Sequence, residues 1–248
     1  MKLYSALGII PGDIVAFAGA GGKSGAILDI ATDLVEEGLK VLVAPTTKMF
    51  LGETEKIGPL VTSEDLEELR RRVEDAYSGA GAVVAGSGLL SGERIGGVDP
   101  AWIPTLATPA DVVLVEADGS RRHPLKGTAD HEPLLPDGTT LVVAVGSILA
   151  LGTPVDEEHV HRPELFSELT GIGAGHTITA DAIARAMAQG SLGRVPPDIR
   201  RAALITGVSP GRLMSDASAV AHELWHLGLN KVVLTSLPQE SPGQIWMS

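Results

Sequence analysis

Apolar residues along the chain occur in short continuous runs, and longer segments with helical spacing lie between these runs. The run Asp13–Ala18 ends in glycines, and Ser24–Glu37 then carries apolar residues at three- and four-residue intervals. Gly38 suits the end of that helix, and Lys40–Ala44 is the next apolar run. Residues 13–44 therefore predict a strand, a helix and a second strand.

Similar runs farther along the chain predict more buried strands. Each run is bounded by glycine, proline or polar turn residues, as strands usually are. The runs are Ala82–Ala85, Asp111–Val115, Leu141–Val145, Ala202–Thr206 and Lys231–Ser236. Helical spacing predicts helices at Pro163–Leu169, Ala180–Met187 and Leu213–Leu227, and a surface helix that is capped by Ser63 and carries an apolar stripe at Leu66, Leu69, Val73 and Tyr77.

The alternation of strands and helices indicates the fold class. It is typical of α/β proteins, in which a mostly parallel sheet is covered by helices on both faces. We predict one α/β domain over residues 1–248, built as a three-layer sandwich. The glycine-rich segment Gly86–Pro109 predicts a small excursion or hairpin, and residues 152–197 predict a small helical lobe.

Composition supports this fold class and excludes several kinds of chemistry. Aromatic residues make up only 3% of the chain, so the core must consist mainly of aliphatic residues, as in buried parallel strands. The chain has no cysteine, which excludes disulfides, cysteine metal sites and thiol nucleophiles. A net charge of −12 disfavours binding to nucleic acid or to an anionic membrane.

The pattern of a signal peptide or of a membrane span is not found in the sequence. The early apolar stretch is interrupted by Pro11-Gly12-Asp13, and the longest uncharged stretch, Gly138–Val155, contains glycines and a proline. We therefore expect a cytoplasmic protein.

The segment Gly19-Ala20-Gly21-Gly22-Lys23-Ser24, which we call the glycine loop, lies between the first strand and the first helix. It ends in the Gly-Lys-Ser of a phosphate-binding loop (P-loop). In that motif backbone amides surround the phosphates, the lysine reaches the β- and γ-phosphates and the serine hydroxyl holds Mg²⁺. Phe17 stands where the full pattern has its first glycine, as in shorter variants of the motif. We predict that the whole loop binds a nucleotide, with Lys23 acting in catalysis and Ser24 at the metal.

Two other interpretations of the glycine loop remain open. It could be an ordinary glycine-rich turn with a solvated lysine, or Gly19-x-Gly21-x-x-Ser24 could belong to a dinucleotide-binding fold. The dinucleotide fold places an acidic residue at the end of the second strand to bind the ribose. That strand instead ends in Ala44-Pro45-Thr46-Thr47-Lys48, and the missing carboxylate disfavours a nicotinamide cofactor.

Glu116 and Asp118 come directly after the apolar run Asp111–Val115. Alternation along an extended backbone places both carboxylates on one face of the strand end. One carboxylate would bind magnesium together with Ser24, and the other would orient a nucleophile or substrate. An Asp-Gly turn without function is the alternative interpretation. Because the glycine loop is present, we assign catalytic and metal-binding roles to both acids.

Two other polar segments contain candidate binding residues. Thr47 and Lys48, after the second strand, would contact the phosphates or form an ordinary polar loop. A local cluster of positive charge follows Asp118, and it would either meet an anionic substrate or remain a solvated loop. It consists of Arg121, Arg122, His123 and Lys126.

The segment Asp156–Glu164 contains His159, His161 and Arg162. Two histidines separated by one residue could hold a metal on an extended backbone, and imidazole and guanidinium donors could bind an anion. Pro163 alternatively indicates an ordinary helix start with solvated histidines. With no third ligand nearby and no cysteine, we favour a second anion site that opens toward the glycine loop. Pro163 would hold Arg162 extended.

Taken in order, these motifs resemble those of the YqeC family. The resemblance covers residues 13 to about 190. It rests on Gly-Ala-Gly-Gly-Lys-Ser (19–24), Thr-Thr-Lys-Met (46–49), Val-Glu-Ala-Asp-Gly (115–119), Pro-Leu-Lys (124–126), His-Glu-Pro (131–133) and His-Val-His-Arg-Pro-Glu (159–164).

The resemblance has implications for fold, function and site. It implies a P-loop NTPase-like fold and a role as an accessory protein in the maturation of selenium-dependent molybdenum hydroxylases. The partner would be the client hydroxylase or an intermediate of its cofactor. The resemblance also implies that Lys23 and Ser24 form the phosphate loop, that Glu116 and Asp118 form the acidic strand end, and that the His161–Arg162 motif belongs to the site.

We therefore expect Mg²⁺-dependent binding of ATP or GTP, followed by hydrolysis or phosphoryl transfer. A non-catalytic nucleotide-sensing chaperone is the main alternative, and an NAD-binding oxidoreductase is the weaker one. A late strand ends in Thr206-Gly207-Val208-Ser209, which offers no carboxylate to a guanine base. We therefore expect no strong preference for GTP over ATP.

Overall fold

A computed structural model of the chain describes residues 1–237 and 244–247. Its central element is a nine-stranded, mostly parallel sheet. From one edge to the other, the strands are β14 (Ile245–Met247), β13 (Val232–Thr235), β12 (Arg200–Thr206), β10 (Leu141–Ser147), β1 (Ile14–Gly19), β8 (Val112–Glu116), β2 (Val41–Val43), β5 (Ala82–Gly86) and β4 (Leu60–Thr62). Within the described residues, only β14 runs antiparallel to its neighbour in this sheet.

β1 lies in the middle of the sheet, between β8 and β10. Its residues are buried on both faces. Val15 and Phe17 pack into one hydrophobic cluster, and Ala16 and Ala18 pack into a second cluster. Burial on both faces explains why this strand is a continuous apolar run without polar alternation. The carboxyl end of β1, and the glycine loop that follows it, therefore lie at the centre of the sheet edge.

Helices cover both faces of the sheet, as expected for an α/β fold. α1 (Leu3–Leu7) and α2 (Lys23–Glu36) contribute to the cluster that contains Phe17. The other cluster contains side chains from α4 (Leu66–Ala76), α5 (Ile103–Leu106), α6 (Pro163–Thr170), α7 (Ala180–Arg185) and α8 (Arg212–His226). Across residues 1–237 and 244–247, no helix has both the length and the apolar character that crossing a bilayer requires.

Smaller elements lie outside the main sheet. β3 (Met49–Phe50), β6 (Leu89–Leu90) and β7 (Arg94–Ile95) form a three-stranded antiparallel sheet, and β9 (Leu125–Lys126) pairs in parallel with β11 (Val160–His161). A one-turn helix, α3 (Leu51–Thr54), follows β3, and the remaining helical turns are Pro100–Trp102, Ile148–Ala150 and Ala186–Ser191. The β6–β7 pair confirms the hairpin predicted within Gly86–Pro109.

The structure confirms the mostly parallel α/β fold and the strands predicted from apolar runs, but it corrects one cap. We predicted Ser63 as the cap of α4, and that was wrong. The helix starts at Leu66, and Asp65 caps it by accepting the Glu68 N–H at 2.8 Å. The Ser63 hydroxyl, two residues before this cap, instead donates to the Glu68 carboxylate at 2.7 Å.

The segment predicted as a helical lobe, residues 152–197, packs against the main sheet. Phe166, Ile183 and Met187 are buried in the same cluster as Ala16 of β1. The segment therefore contributes to the helical layer on that face of the sheet.

Candidate functional site

The glycine loop is held in a conformation that only glycine adopts easily. Gly19, Gly21 and Gly22 have φ angles of 98°, 83° and 121°, in the region that disfavours other residues. A Cβ on Gly19 would lie 2.3 Å from the Val145 carbonyl oxygen, and a Cβ on Gly21 would lie 2.6 Å from the Pro124 carbonyl oxygen. The glycines therefore provide both the backbone turn and the close approach to neighbouring segments.

The backbone amides of the glycine loop divide into two groups. The Gly19 N–H donates to Asp118 Oδ2 at 2.8 Å, and the Ala20 N–H donates to the Val145 carbonyl at 2.9 Å. The N–H groups of Gly21, Gly22, Lys23 and Ser24 make no hydrogen bond with the described residues, and α2 has no side-chain cap. These amides at a helix start can donate to an anionic ligand.

The Lys23 ammonium is buried among acidic and carbonyl oxygens. It donates to the Gly19 carbonyl at 2.6 Å and lies 3.1 Å from Asp118 Oδ1 and 3.9 Å from Glu116 Oε1. Burial opposes the charged form of Lys23, but the negative charges of Asp118 and Glu116 outweigh burial and raise its pKa. Lys23 is therefore charged and held at the carboxyl end of β1.

Ser24 and Glu116 form the part of the site that fits a divalent cation. The Ser24 hydroxyl donates to Glu116 Oε2 at 3.0 Å, so the structure brings these two predicted metal ligands together. Burial raises the pKa of the Glu116 carboxyl, against the opposite effects of Lys23 and of the Ser24 hydrogen bond. A serine hydroxyl and a carboxylate are hard oxygen ligands of the kind that Mg²⁺ prefers.

Asp118 has a different environment from Glu116. Its carboxylate is fully buried and lies between two lysines: Lys126 donates to Oδ2 at 3.0 Å, and Lys23 lies beside Oδ1. Together with the hydrogen bond from the Gly19 N–H, these contacts tie the end of β8 to the glycine loop. Asp118 thus holds the glycine loop and its lysine in place.

A buried ion network extends from Asp118 to β11. Lys126 donates to Glu132 Oε2 at 2.7 Å, and the Arg162 guanidinium donates to the same oxygen at 2.7 Å. Burial alone would raise the pKa of Glu132, but the hydrogen bonds from Arg162 and Lys126 outweigh it and lower that pKa to about 2. We did not assign Glu132 from the sequence. The signal was present in the His-Glu-Pro motif at 131–133, but its partners could not be inferred from spacing.

The lowered pKa of Glu132 predicts a loss of stability in acid. The network stabilises the fold at pH values above 4.5, the ordinary pKa of a glutamate. This stabilisation is lost as the pH falls toward about 2, the pKa of Glu132 in the folded protein. We expect Glu132→Gln to be less stable than the parent at pH 7 and to lose less stability between pH 4.5 and 2. Urea unfolding across this pH range measures both effects. The exposed Glu64→Gln is the control, and a parent-like pH profile for Glu132→Gln would contradict the prediction.

Thr46, Thr47 and Lys48 do not lie directly beside the glycine loop. β8 lies between β1 and β2, so the end of β2 is one strand away from that loop. The Thr46 N–H donates to the Glu116 carbonyl at 3.1 Å, the Thr47 hydroxyl is buried with no hydrogen-bond partner among the described residues, and Lys48 is exposed.

His159, His161 and Arg162 each contact a different part of the chain and do not form one site together. His159 Nδ1 lies 2.7 Å from Asp156 Oδ1, Arg162 is paired with Glu132, and His161 stacks on His123 with 5.8 Å between the ring centroids. His159 and Arg162 are therefore occupied by carboxylates of the chain itself.

The extended conformation that we predicted for Arg162 is wrong. Its φ and ψ are 59° and 65°, a left-handed conformation that is uncommon for a residue other than glycine. The Gly127 N–H donates to the His161 carbonyl at 2.8 Å, and the Arg162 carbonyl already accepts from the Phe166 N–H of α6. The chain must therefore turn from β11 into α6 within one residue, which accounts for the left-handed backbone of Arg162.

Comparison with known proteins identifies the family. The family model described as YqeC protein matches residues 15–164. The chain belongs to the YqeC family. It is also 32% identical over 192 residues to a protein of Escherichia coli (strain K12) named "Uncharacterized protein YqeC", and the alignment covers 76% of this chain and 73% of that protein.

The part of the chain that matches the YqeC family contains the glycine loop, both acids and the ion network. One further contact to the glycine loop comes from outside the match. Thr206, at the end of β12, is fully buried and its hydroxyl donates to the Gly21 carbonyl. Sequence reasoning considered Thr206 only for base recognition and missed this support of the glycine loop.

Proposed function

We propose that this member of the YqeC family binds a nucleoside triphosphate with Mg²⁺ and hydrolyses it or transfers its terminal phosphoryl group. The hydrogen bond between Ser24 and Glu116, formed beside the free amides at the start of α2, carries the proposal. It joins a hydroxyl and a carboxylate suited to a divalent cation to a group of amides suited to phosphate.

The residues of the site fit a triphosphate and its metal. The amides of Gly22, Lys23 and Ser24 would donate to phosphate oxygens, and the Lys23 ammonium would neutralise charge on the transferred group. Ser24 and Glu116 would hold Mg²⁺, with Asp118 positioning Lys23. When bound, Mg²⁺ supplies charge neutralisation at the phosphates.

The strand order supports a P-loop NTPase-like classification over a dinucleotide-binding fold. In the dinucleotide fold the second strand lies beside the first, so that its acidic end meets the ribose. Here β8 occupies that position and carries Glu116 and Asp118 to the glycine loop. From the resemblance alone, we further propose that the chain acts in the maturation of a selenium-dependent molybdenum hydroxylase.

Titration calorimetry and single-turnover phosphate release test this function. We expect ATP and GTP to bind in the presence of Mg²⁺ with affinities that differ much less than a hundredfold, because the end of β12 offers no carboxylate to guanine. Release of phosphate in a single turnover favours an enzyme, and binding without release favours a nucleotide-sensing chaperone. Binding of NAD but not of a triphosphate would contradict the proposal.

Replacement of Glu116 tests the metal site. We expect Glu116→Gln to raise the Mg²⁺ concentration needed for half-maximal turnover by about tenfold, because an amide binds a hard cation more weakly than a carboxylate. Stability should change little, since an amide oxygen still accepts from Ser24. The exposed Glu157→Gln is the matched control. If the magnesium dependence of Glu116→Gln is unchanged, the Glu116 carboxylate does not bind the metal and has a structural role.

A further inference from the structure

The segment that follows β8 runs alongside the glycine loop. Lys23 Nζ lies 3.4 Å from the Ser120 hydroxyl oxygen, and the Pro124 carbonyl accepts the Ser147 N–H at 3.1 Å beside Gly21. A ligand held by the residues between Ser120 and Pro124 would therefore lie next to the phosphate groups of a nucleotide bound as proposed above.

Two arginines in this segment have unusual backbone conformations and different surroundings. Arg121 and Arg122 have φ angles of 50° and 64°, both in the left-handed region. The Arg122 guanidinium stacks on the Phe50 ring at 3.9 Å and lies 3.8 Å from Glu53. Arg121 is exposed and makes no ion pair or side-chain hydrogen bond with the described residues. The strained backbone thus presents one arginine that the chain itself does not use.

A pair of stacked histidines lies in the same region. His123 Nδ1 lies 3.0 Å from the Ser120 carbonyl, and His123 Nε2 lies 2.8 Å from the Glu157 carbonyl. Both ring nitrogens of His123 therefore face backbone carbonyl oxygens. The ring nitrogens of His161 have no hydrogen-bond partner within residues 1–237 and 244–247.

The surroundings of His161 carry an excess of positive charge. Burial, followed by nearby positive charges, lowers the pKa of His161 to about 4. The charges belong to Arg162, Lys126, Arg121 and His123. Of these, Arg162 and Lys126 are compensated by Glu132, while Arg121 has no acidic partner among the described residues. An anion bound beside His161 would relieve this excess.

We propose that Ser120, Arg121 and His161 form a second binding site, which takes the phosphate group of a small organic phosphate ester that serves as the phosphoryl acceptor. An oxygen of this phosphate would form a bond to the γ-phosphorus of the nucleotide as the bond from that phosphorus to the β–γ bridging oxygen breaks, and the nucleoside diphosphate would leave with the bridging oxygen. The attacking phosphate oxygen is already deprotonated, so the step moves no proton. The guanidinium can bind two phosphate oxygens, and the hydroxyl and the neutral imidazole each supply one donor. Because Arg121 is exposed, the site is open to solvent and accommodates a phosphate attached to a larger molecule. This inference rests on the proposed function, since it names the acceptor side of the same reaction.

The test uses the full chain saturated with Mg-ADP, so that the glycine loop is occupied, and glycerol 3-phosphate as the probe. NMR of labelled histidine rings follows the His161 imidazole during a pH titration. We expect the probe to raise the pKa of His161 by about one unit, because an adjacent anion stabilises the imidazolium. Arg121→Asn removes the charge while tolerating the left-handed backbone, and it should weaken probe binding about tenfold.

The control is Arg71→Ala on the exposed surface of α4, which should bind the probe as the parent does. Orthophosphate is titrated in parallel. Binding of orthophosphate without binding of glycerol 3-phosphate would overturn the acceptor assignment, and an unmoved His161 with equal probe affinity in Arg121→Asn would overturn the site. If Mg-ATP does not bind but the probe still shifts the pKa of His161 in an Arg121-dependent way, the anion site is supported and the proposed nucleotide function is contradicted.

Discussion

Lys126→Met is expected to destabilise the fold by about 3–5 kcal/mol, the usual effect of removing one partner from a buried ion pair. The Lys126 side chain is only 2% exposed, and its ammonium contacts Asp118 and Glu132, whose side chains are 0% and 5% exposed. Methionine preserves the length of the side chain but leaves both carboxylates with less compensation. Urea unfolding at pH 7 measures the change.

Two further variants locate the cause of the Lys126 effect. Lys48→Met removes an exposed lysine and should leave the unfolding midpoint unchanged. Glu132→Gln should cost less stability in the Lys126→Met background than in the parent, because Glu132 then retains only Arg162 of its two cationic partners. If Lys126→Met unfolds at the parent's urea concentration, the buried network does not stabilise the protein.

Lys23→Ala is expected to weaken nucleoside triphosphate binding at least tenfold. The Lys23 ammonium lies 2.6 Å from the Gly19 carbonyl of the glycine loop, and charge-assisted hydrogen bonds contribute about 1.5–3 kcal/mol each. A loss of 1.4 kcal/mol corresponds to about a tenfold change in affinity. Titration calorimetry with Mg-ATP, on protein first shown to be folded, measures the difference.

The matched control for Lys23 is Lys56→Ala, which removes an exposed lysine outside the site. Its affinity should equal that of the parent. Equal affinities in the parent and in Lys23→Ala would show that the glycine loop does not bind phosphate.

The central strands were predictable from the sequence because burial on both faces leaves a strong pattern. β1 and β8 are continuous apolar runs followed by glycines or acids, and both are found where the sequence predicts them. β4 and β14 were missed because three residues at a sheet edge carry no such pattern.

Part of the candidate site was also predictable. The Gly-Lys-Ser motif and the acids after β8 could be assigned from residue type and spacing alone. The pairing of Glu132 with Arg162 could not, because it depends on the pairing of β9 with β11, strands of two residues each that are separated by a long stretch of chain. The contacts of Lys126 with Asp118 and Glu132 are closer in sequence but form between loops that carry no periodic pattern. The left-handed backbone of Arg162 likewise follows from the β9–β11 pairing, which local preferences do not report.

Asp118 is shared between Lys23 on one side and Lys126 on the other. A ligand that draws Lys23 toward itself would leave the negative charge of Asp118 less neutralised. Asp118 would then interact more strongly with Lys126, its other cationic partner. Because coupling between two equilibria is reciprocal, a conformational change of the β9–β11 segment that such a ligand favours through Lys126 would raise affinity at the glycine loop by the same factor. Through one buried carboxylate, ligand binding at the glycine loop would thus be linked to the conformation of the segment leading to α6.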